Sequence, residues 1–290
     1  MPSLKSLKIR IASVKSTRKI TQAMKMVAAA KLRRAEVAVA AARPYSEQFA
    51  AVIRRLNAAM DAGSEVPAMF GGTGSDQRHL LVVMTGERGL CGGFNSNIVK
   101  LARHAIADLQ AEGKEVKILT VGKKGYDQLR RDHGQLIIDH MEFRDIRQVG
   151  FTEAQQVSAK VTELFEAGEI DIARLFYAQY QTVMTQVPTD LQLLPVEAPE
   201  EDTSEGAVYE FEPSAPEILD VVLPRYVSGL IFNALLENAA SEQGARMTSM
   251  DSATRNAGDM IDRLTLEYNR ARQAAVTNEL IEIISGAEAL

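Results

Sequence analysis

The C-terminal stretch is too long to be an ordinary helix of a compact domain. From Met247 the positions 247, 250, 254, 257, 261, 264, 268, 271 and 275 alternate by three and four, and hold Met, Met, Thr, Ala, Ile, Leu, Tyr, Ala and Ala. That is a heptad seam weighted to small residues, the pattern of a helix that lies along another helix. No proline follows Pro224. A helix is therefore predicted from Glu217 to about Ser285, roughly 105 Å at 1.5 Å rise per residue. Such a helix needs a partner of comparable length to cover its seam.

The N-terminus supplies one. From Ser3 to about Asn57 the residues are strong helix formers, which predicts a rod of roughly 80 Å. Leu4, Leu7, Ile11 and Val14 open a coiled-coil seam, and the apolar stripe then shifts to Thr17, Ile20, Met24 and Val27, a change of phase that alters a supercoil. In "KITQAMKMVAAAKLRRAE" the residues Ile20, Ala23, Met24, Val27 and Ala30 share one stripe, while Met26 and Leu32 point elsewhere. Pro44 is expected to kink this helix or end its first section. The economical assembly is an antiparallel coiled coil of the two termini. Its N-terminal half is basic: residues 1–55 hold 13 Lys and Arg against 2 acids, although the whole chain has a net charge of −5. A basic helix on an acidic body points to an acidic partner, nucleic acid or protein.

Between the helices the texture changes. "DAGSEVPAMFGGTGSDQ" (61–77) reads as a linker. "HLLVVMTG", "VKILTVG" and "QLIIDHM" read as strands that alternate with the helical "NSNIVKLARHAIADLQAEG", "YDQLRRDHG" and "TEAQQVSAKVTELFEAG". This alternation predicts a mostly parallel, Rossmann-like α/β domain over 78–197. "DIARLFYAQYQTVMTQVPTDLQLLPV" reads as a closing hairpin at the sheet edge, joined near Pro188, and 198–216 as an acidic loop. The expected organisation is thus an N-terminal coiled-coil helix (1–60), linker, α/β domain, acidic loop and C-terminal coiled-coil helix (217–290). No run of about 18 apolar residues is evident, so no membrane span is expected. "MPSLKSLKIRIASV" lacks a signal-peptide core and reads as mature protein. The lone Cys91 excludes an intramolecular disulfide and fits a reducing compartment.

Motifs that could carry chemistry are few. "TGERGLCGGFNSN" (85–97) lies between a strand and a helix, where nucleotide loops sit, but lacks the G-x-G-x-x-G spacing and a phosphate-binding Lys. It reads as a Gly-rich turn permitting close packing, with nucleotide binding by an α/β enzyme as the alternative. Cys91, with no companion Cys and no nearby His, reads as an inert thiol. His79, His104, His133 and His140 lack metal-ligand spacing. Nucleic-acid binding by the basic helix has against it the scatter of charge around the helix and the want of stacking aromatics. Near the C-terminus Arg270, Arg272, Gln273 and Thr277 flank the Ala271/Ala275 seam, and Gly286 is placed to end the helix.

"IASVKSTRKITQAMKMVAAAKLRRAE", "RGLCGGFN", "LENAASEQGARMTSMDSATRNAGDMI" and "YNRARQAAVTNELIEIISGAEA" resemble, in the right order and over nearly the whole chain, the gamma subunit of the rotary proton-translocating ATP synthase. The resemblance implies a non-catalytic shaft without cofactor or metal. It implies a curved coiled coil inside a ring of three alpha and three beta subunits, with epsilon and delta in the complex and the α/β domain near the membrane c ring. There would be one copy per complex, held peripherally on the cytoplasmic face of a bacterial inner membrane, with a mitochondrial form as the alternative. Met24 matches the methionine beside an acidic loop of beta, and Arg246 and Glu279 lie in segments coupled to it. Arg272, Gln273 and Thr277 match the upper contact with a beta-subunit loop, and Tyr209, Phe211 and Glu212 the stretch resting on the c ring and epsilon. Cys91 holds the family's usual cysteine position near beta. On the same reading Ala28 to Ala30 form part of a smooth bearing surface.

Overall fold

The computed structural model describes residues 3–59, 66–146, 149–197, 212 and 214–288. Along the chain run α1 (Leu4–Ala58), the short α2 (Ala68–Gly71), β1 (Arg78–Met84), α3 (Phe94–Ala111), β2 (Glu115–Val121), α4 (Lys123–His133), β3 (Ile137–Met141), α5 (Phe151–Glu166), β4 (Ile172–Tyr180), β5 (Gln186–Leu194) and α6 (Ala215–Glu288). The chain divides into two compact units, one of residues 1–29 with 246–290 and one of residues 30–245, so the division falls inside both long helices.

In the larger unit five strands lie in the order β3-β2-β1-β4-β5. The first four run parallel and β5 returns antiparallel at the edge. The central β1 is buried on both faces, as the unbroken apolar run "LLVVM" requires. Alternate residues of the sheet feed two cores. Leu81, Val83, Ile118 and Phe176 pack with α3 and Leu129 of α4. Leu80, Val82, Met84, Leu119 and Leu175 pack with α5, with Ile53 and Leu56 of α1, and with Leu219, Leu223, Val227 and Ile231 of α6. The long helices are therefore part of the domain's own core. They also touch each other, through the Phe49–Tyr226 edge contact (centroids 5.6 Å apart) and a hydrogen bond from Asn233 to Ser46.

In the smaller unit α1 and α6 run antiparallel. The Thr21 and Thr254 hydroxyls bond at 2.8 Å, and Lys25 Nζ meets Asp251 at 2.5 Å. On α6 every position of the predicted seam from 247 to 275 is buried or half-buried.

Three expectations are corrected. The α1 seam does not change phase. Its inward positions continue 4, 7, 11, 14, then 21, 25, 28, 32, 35, 39, 42, 46, 49, 53 and 56, while Thr17, Ile20 and Val27 are exposed. Apart from the half-buried Met24, the stripe seen in the sequence was an outer apolar face, because the true seam passes through the polar Thr21 and Lys25 and the small Ala28. Of the two outcomes expected at Pro44, a kink or an end, the end is excluded, because α1 runs through it to Ala58. Pro188 is not at the hairpin turn: it lies within β5 opposite Ala178, and the turn is 181–185, closed by Thr182–Thr185 bonds. An edge strand can hold a proline because one side of its backbone has no partner. Gly286 does not stop α6, which reaches Glu288. In addition, α6 holds an 18-residue window apolar enough to cross a membrane by composition, but half of it is buried within the protein.

Candidate functional site

The order of an open α/β sheet reverses between β1 and β4, and a small-molecule ligand of such a fold sits in the crevice there, beyond the carboxyl ends of the strands. Here α6 takes that place. A Cβ on Gly86, just after β1, would lie 2.8 Å from the Glu242 carboxyl carbon. At the end of β4, Asn238 accepts from the Ala178 amide at 3.1 Å and Ser241 donates to the Ala178 carbonyl at 3.0 Å. The Gly-rich loop 85–93 is shaped for this packing. Asn95 accepts from the Gly86 amide, and the Thr85 hydroxyl accepts from the Gly125 amide at 2.7 Å. Gly122 has φ +94°, and a side chain there would run into the Thr85 carbonyl. Cys91 is buried and lies 3.2 Å from the Asn95 amide nitrogen. The loop thus behaves as the close-packing turn. Among the described residues, no cluster of His, Cys, Asp and Glu is arranged to hold a metal ion.

Beside the crevice lies a half-buried acidic and phenolic group. The Glu237 carboxyl has one oxygen buried without a partner. Burial pushes its pKa up, against a backbone hydrogen bond at Tyr180 and the charge of Arg43. The Tyr180 hydroxyl donates to Glu36 of α1 at 2.5 Å. Burial first, and then that bond, pushes the phenol up to about 12. Tyr177 is also pushed up, by burial and then by Glu237.

The other chemically distinctive surface is on the coiled coil. Residues 1–29 carry seven Lys and Arg and no acid. Between the charges Ile9, Ile20, Met26 and Val27 are exposed, each by more than half. Beyond Ala275 the other helix ends too. Pairing of Thr21 with Thr254 and Lys25 with Asp251 sets the start of α1 opposite about residue 271, by the equal rise of both helices. Every described side chain from Val276 to the end of α6 is exposed, including Val276, Leu280, Ile281, Ile283 and Ile284.

Met24 is half-buried, flanking the seam next to the Lys25–Asp251 pair, and Arg246 is half-buried on the facing stretch of α6. Glu279 is not brought to them, for it stands about 50 Å farther along α6 at 1.5 Å per residue. Arg272, Gln273, Thr277 and Glu279 are exposed together around the end of the seam, and the Thr277 hydroxyl donates to the Gln273 carbonyl at 2.9 Å. Glu212 is exposed, whereas Tyr209 and Phe211 lie outside the described residues. Ala28 faces the seam and Ala30 faces out, so the three alanines are not one surface. Sequence reasoning missed the polar layer of Thr21, Thr254, Lys25 and Asp251. Extending the opening heptad count unchanged through Lys25 would have found it.

Comparison with known proteins gives a uniform picture. The profile of a family described as ATP synthase matches residues 3–290. The ATP synthase gamma chain of Paracoccus denitrificans is 58% identical over 290 residues, and that of Rhizobium rhizogenes 59% over 294, with the whole of each chain covered. The fold matches a chain in the cryo-EM structure of the rotor of the Euglena gracilis mitochondrial ATP synthase, with a TM-score of 0.68 at 20% identity. That match covers 94% of this chain and 98% of the other.

Proposed function

Because the chain belongs to the ATP synthase family, among its gamma chains, we propose that it is the central rotor shaft of a bacterial ATP synthase. On this reading it makes and breaks no bonds itself. Proton flow turns the membrane c ring, the shaft turns with it, and its uneven surface biases each beta subunit of an alpha–beta ring through successive conformations. Epsilon binds the same shaft, and delta completes the complex. The shaft is peripheral, held through its partners at the cytoplasmic face of the inner membrane. The observation that carries the reading is the bare end of α6, where five large apolar side chains stand exposed beyond the coil. Exposed apolar groups so concentrated call for a surrounding protein surface.

The mechanism is coupling by differential contact. A shaft shifts the equilibrium of a beta subunit only by the difference in its contact free energy with the two states. The basic first half of α1 supplies a charge that meets an acidic beta loop in some orientations and not others. The occupied sheet crevice, with α6 held on Ala178 by Asn238 and Ser241, favours this role over a nucleotide-dependent enzyme.

A tagged chain expressed in its host should co-purify alpha, beta and epsilon subunits together with ATPase activity. Recovery of the chain alone, or bound to nucleic acid, would sink the reading. Within such a complex Met24→Lys places a second cation beside Lys25 and Asp251, at the surface assigned to the acidic beta loop. ATP-driven proton pumping should fall more than hydrolysis does, and an unchanged ratio would count against that contact.

A further inference from the structure

The α/β domain is joined to α1 and α6 mostly by apolar packing, with Leu219, Leu223, Val227, Ile231, Ile53 and Leu56 set against the sheet. Such contact resists separation, but it is not directional. Directional bonds between the sheet and the helices gather at the carboxyl end of β4. The parallel ladder of β1 and β4 ends at Val83 and Phe176, while β4 runs on to Tyr180. Past that point one edge of β4 has no strand beside it. Asn238 and Ser241, three apart on one face of α6, replace the missing strand by bonding both the amide and the carbonyl of Ala178. Both side chains are buried, at 5% and 0% exposure. Two residues on, the Tyr180 hydroxyl reaches Glu36 of α1. One strand end is thus tied to both long helices at one level, by two buried bonds to Ala178, where hydrogen bonds hold their geometry, and by a half-buried one from Tyr180.

We propose that this end of β4 is the joint through which turning force passes between the α/β domain and the two long helices, with Asn238, Ser241 and Tyr180 as positioning residues that lock the helices against the sheet. The proposal rests on the rotor reading above. Under load the apolar face can shift by small steps, whereas the three bonds accept one orientation only. Removing a bond shifts the balance between locked and slipped orientations about fivefold. Slippage lets ATP be hydrolysed without the c ring following.

The test uses the complete complex in inverted membrane vesicles and reads ATP-driven proton pumping against ATP hydrolysis. Thr and Val have nearly the same shape, so Ser241→Thr and Ser241→Val differ at the hydrogen bond alone. Likewise Tyr180→Phe removes the bond to Glu36, while Glu36→Gln keeps an acceptor for it. The pumping-to-hydrolysis ratio should drop in Ser241→Val and Tyr180→Phe and hold in Ser241→Thr and Glu36→Gln. Equal ratios in all four, in vesicles where the unaltered chain pumps, overturn the proposal. So does a parallel loss of hydrolysis and of assembled complex at constant ratio, which marks a merely structural contact. If Ser241→Thr does not assemble, the Tyr180 and Glu36 pair decides. Failure of the unaltered chain to support pumping strikes the rotor reading instead.

Discussion

Asp171 stands immediately before β4, and its side chain is fully buried. Its carboxylate accepts from the Thr73 and Ser75 hydroxyls and from the backbone, Nε and terminal nitrogens of Arg78. It therefore ties the amino ends of β1 and β4 to the segment before them. The Arg78 guanidinium holds the carboxyl well below the usual carboxylate range, and burial opposes this only in part. Asp171→Ala should cost about 3 kcal/mol, since it takes the carboxylate partner from a partly buried guanidinium and two hydroxyls, as read from the urea midpoint. The sign of the pH effect follows from the lowered pKa. The stabilisation is fully present above the unfolded value near 3.9 and is lost as pH falls toward the folded one. The gap between wild type and variant should hold steady from about pH 8 to 5 and narrow in more acid solution. A constant gap down to acid unfolding would refute the ion-pair account. Nothing in the sequence marks Asp171, because Arg78 lies 93 residues away and the link exists only once two strands are neighbours.

The seam of α1 shows what periodicity can and cannot tell. Leu4, Leu7, Ile11 and Val14 give its phase correctly, and the same count applied to α6 finds positions that are all buried or half-buried. Between them the apolar pattern misleads, because Ile20 and Val27 lie on the outer face while Thr21 and Lys25 lie inward. A polar layer fixes register at some cost in stability, and apolar residues outside the seam are what a shaft gripped from several sides would present. The two alanines now separate packing from contact. Ala28 is 1% exposed in the seam, so Ala28→Leu should overpack the coil and cost about 1–3 kcal/mol. Ala30 is exposed, so Ala30→Leu should leave thermal stability unchanged and slow ATP hydrolysis in the assembled complex. Equal melting of the two variants would contradict the assignment of faces. The Pro188 correction has the same root. A turn residue in composition became an edge-strand residue because the free edge, invisible in the sequence, removed the penalty for a missing amide.

At the scale of the whole molecule the alternation of strands and helices was legible, as were the two terminal helices, since both rest on local period. The joining of α6 to the sheet was not, because it depends on where β1 stops and β4 continues. Of the candidate surface, the basic charge could be counted and the Met24 position came through resemblance. The bare apolar end of α6 needed the structure, since it is defined by where the opposite helix runs out. That end carries a further consequence for the chain before it meets any partner. A helical segment with no tertiary contact is marginal in water, and its last turns fray. The amides from Val276 to Glu288 should therefore exchange with deuterium within seconds in the isolated chain, while those around Met250 to Leu264 are slow. On entry into the complex the fast set should become protected. Slow exchange at the tip of the free chain would show that its helix needs no surroundings. If the tip is fast, the free protein is a finished coil with an unfinished end, and assembly is the last step of its folding.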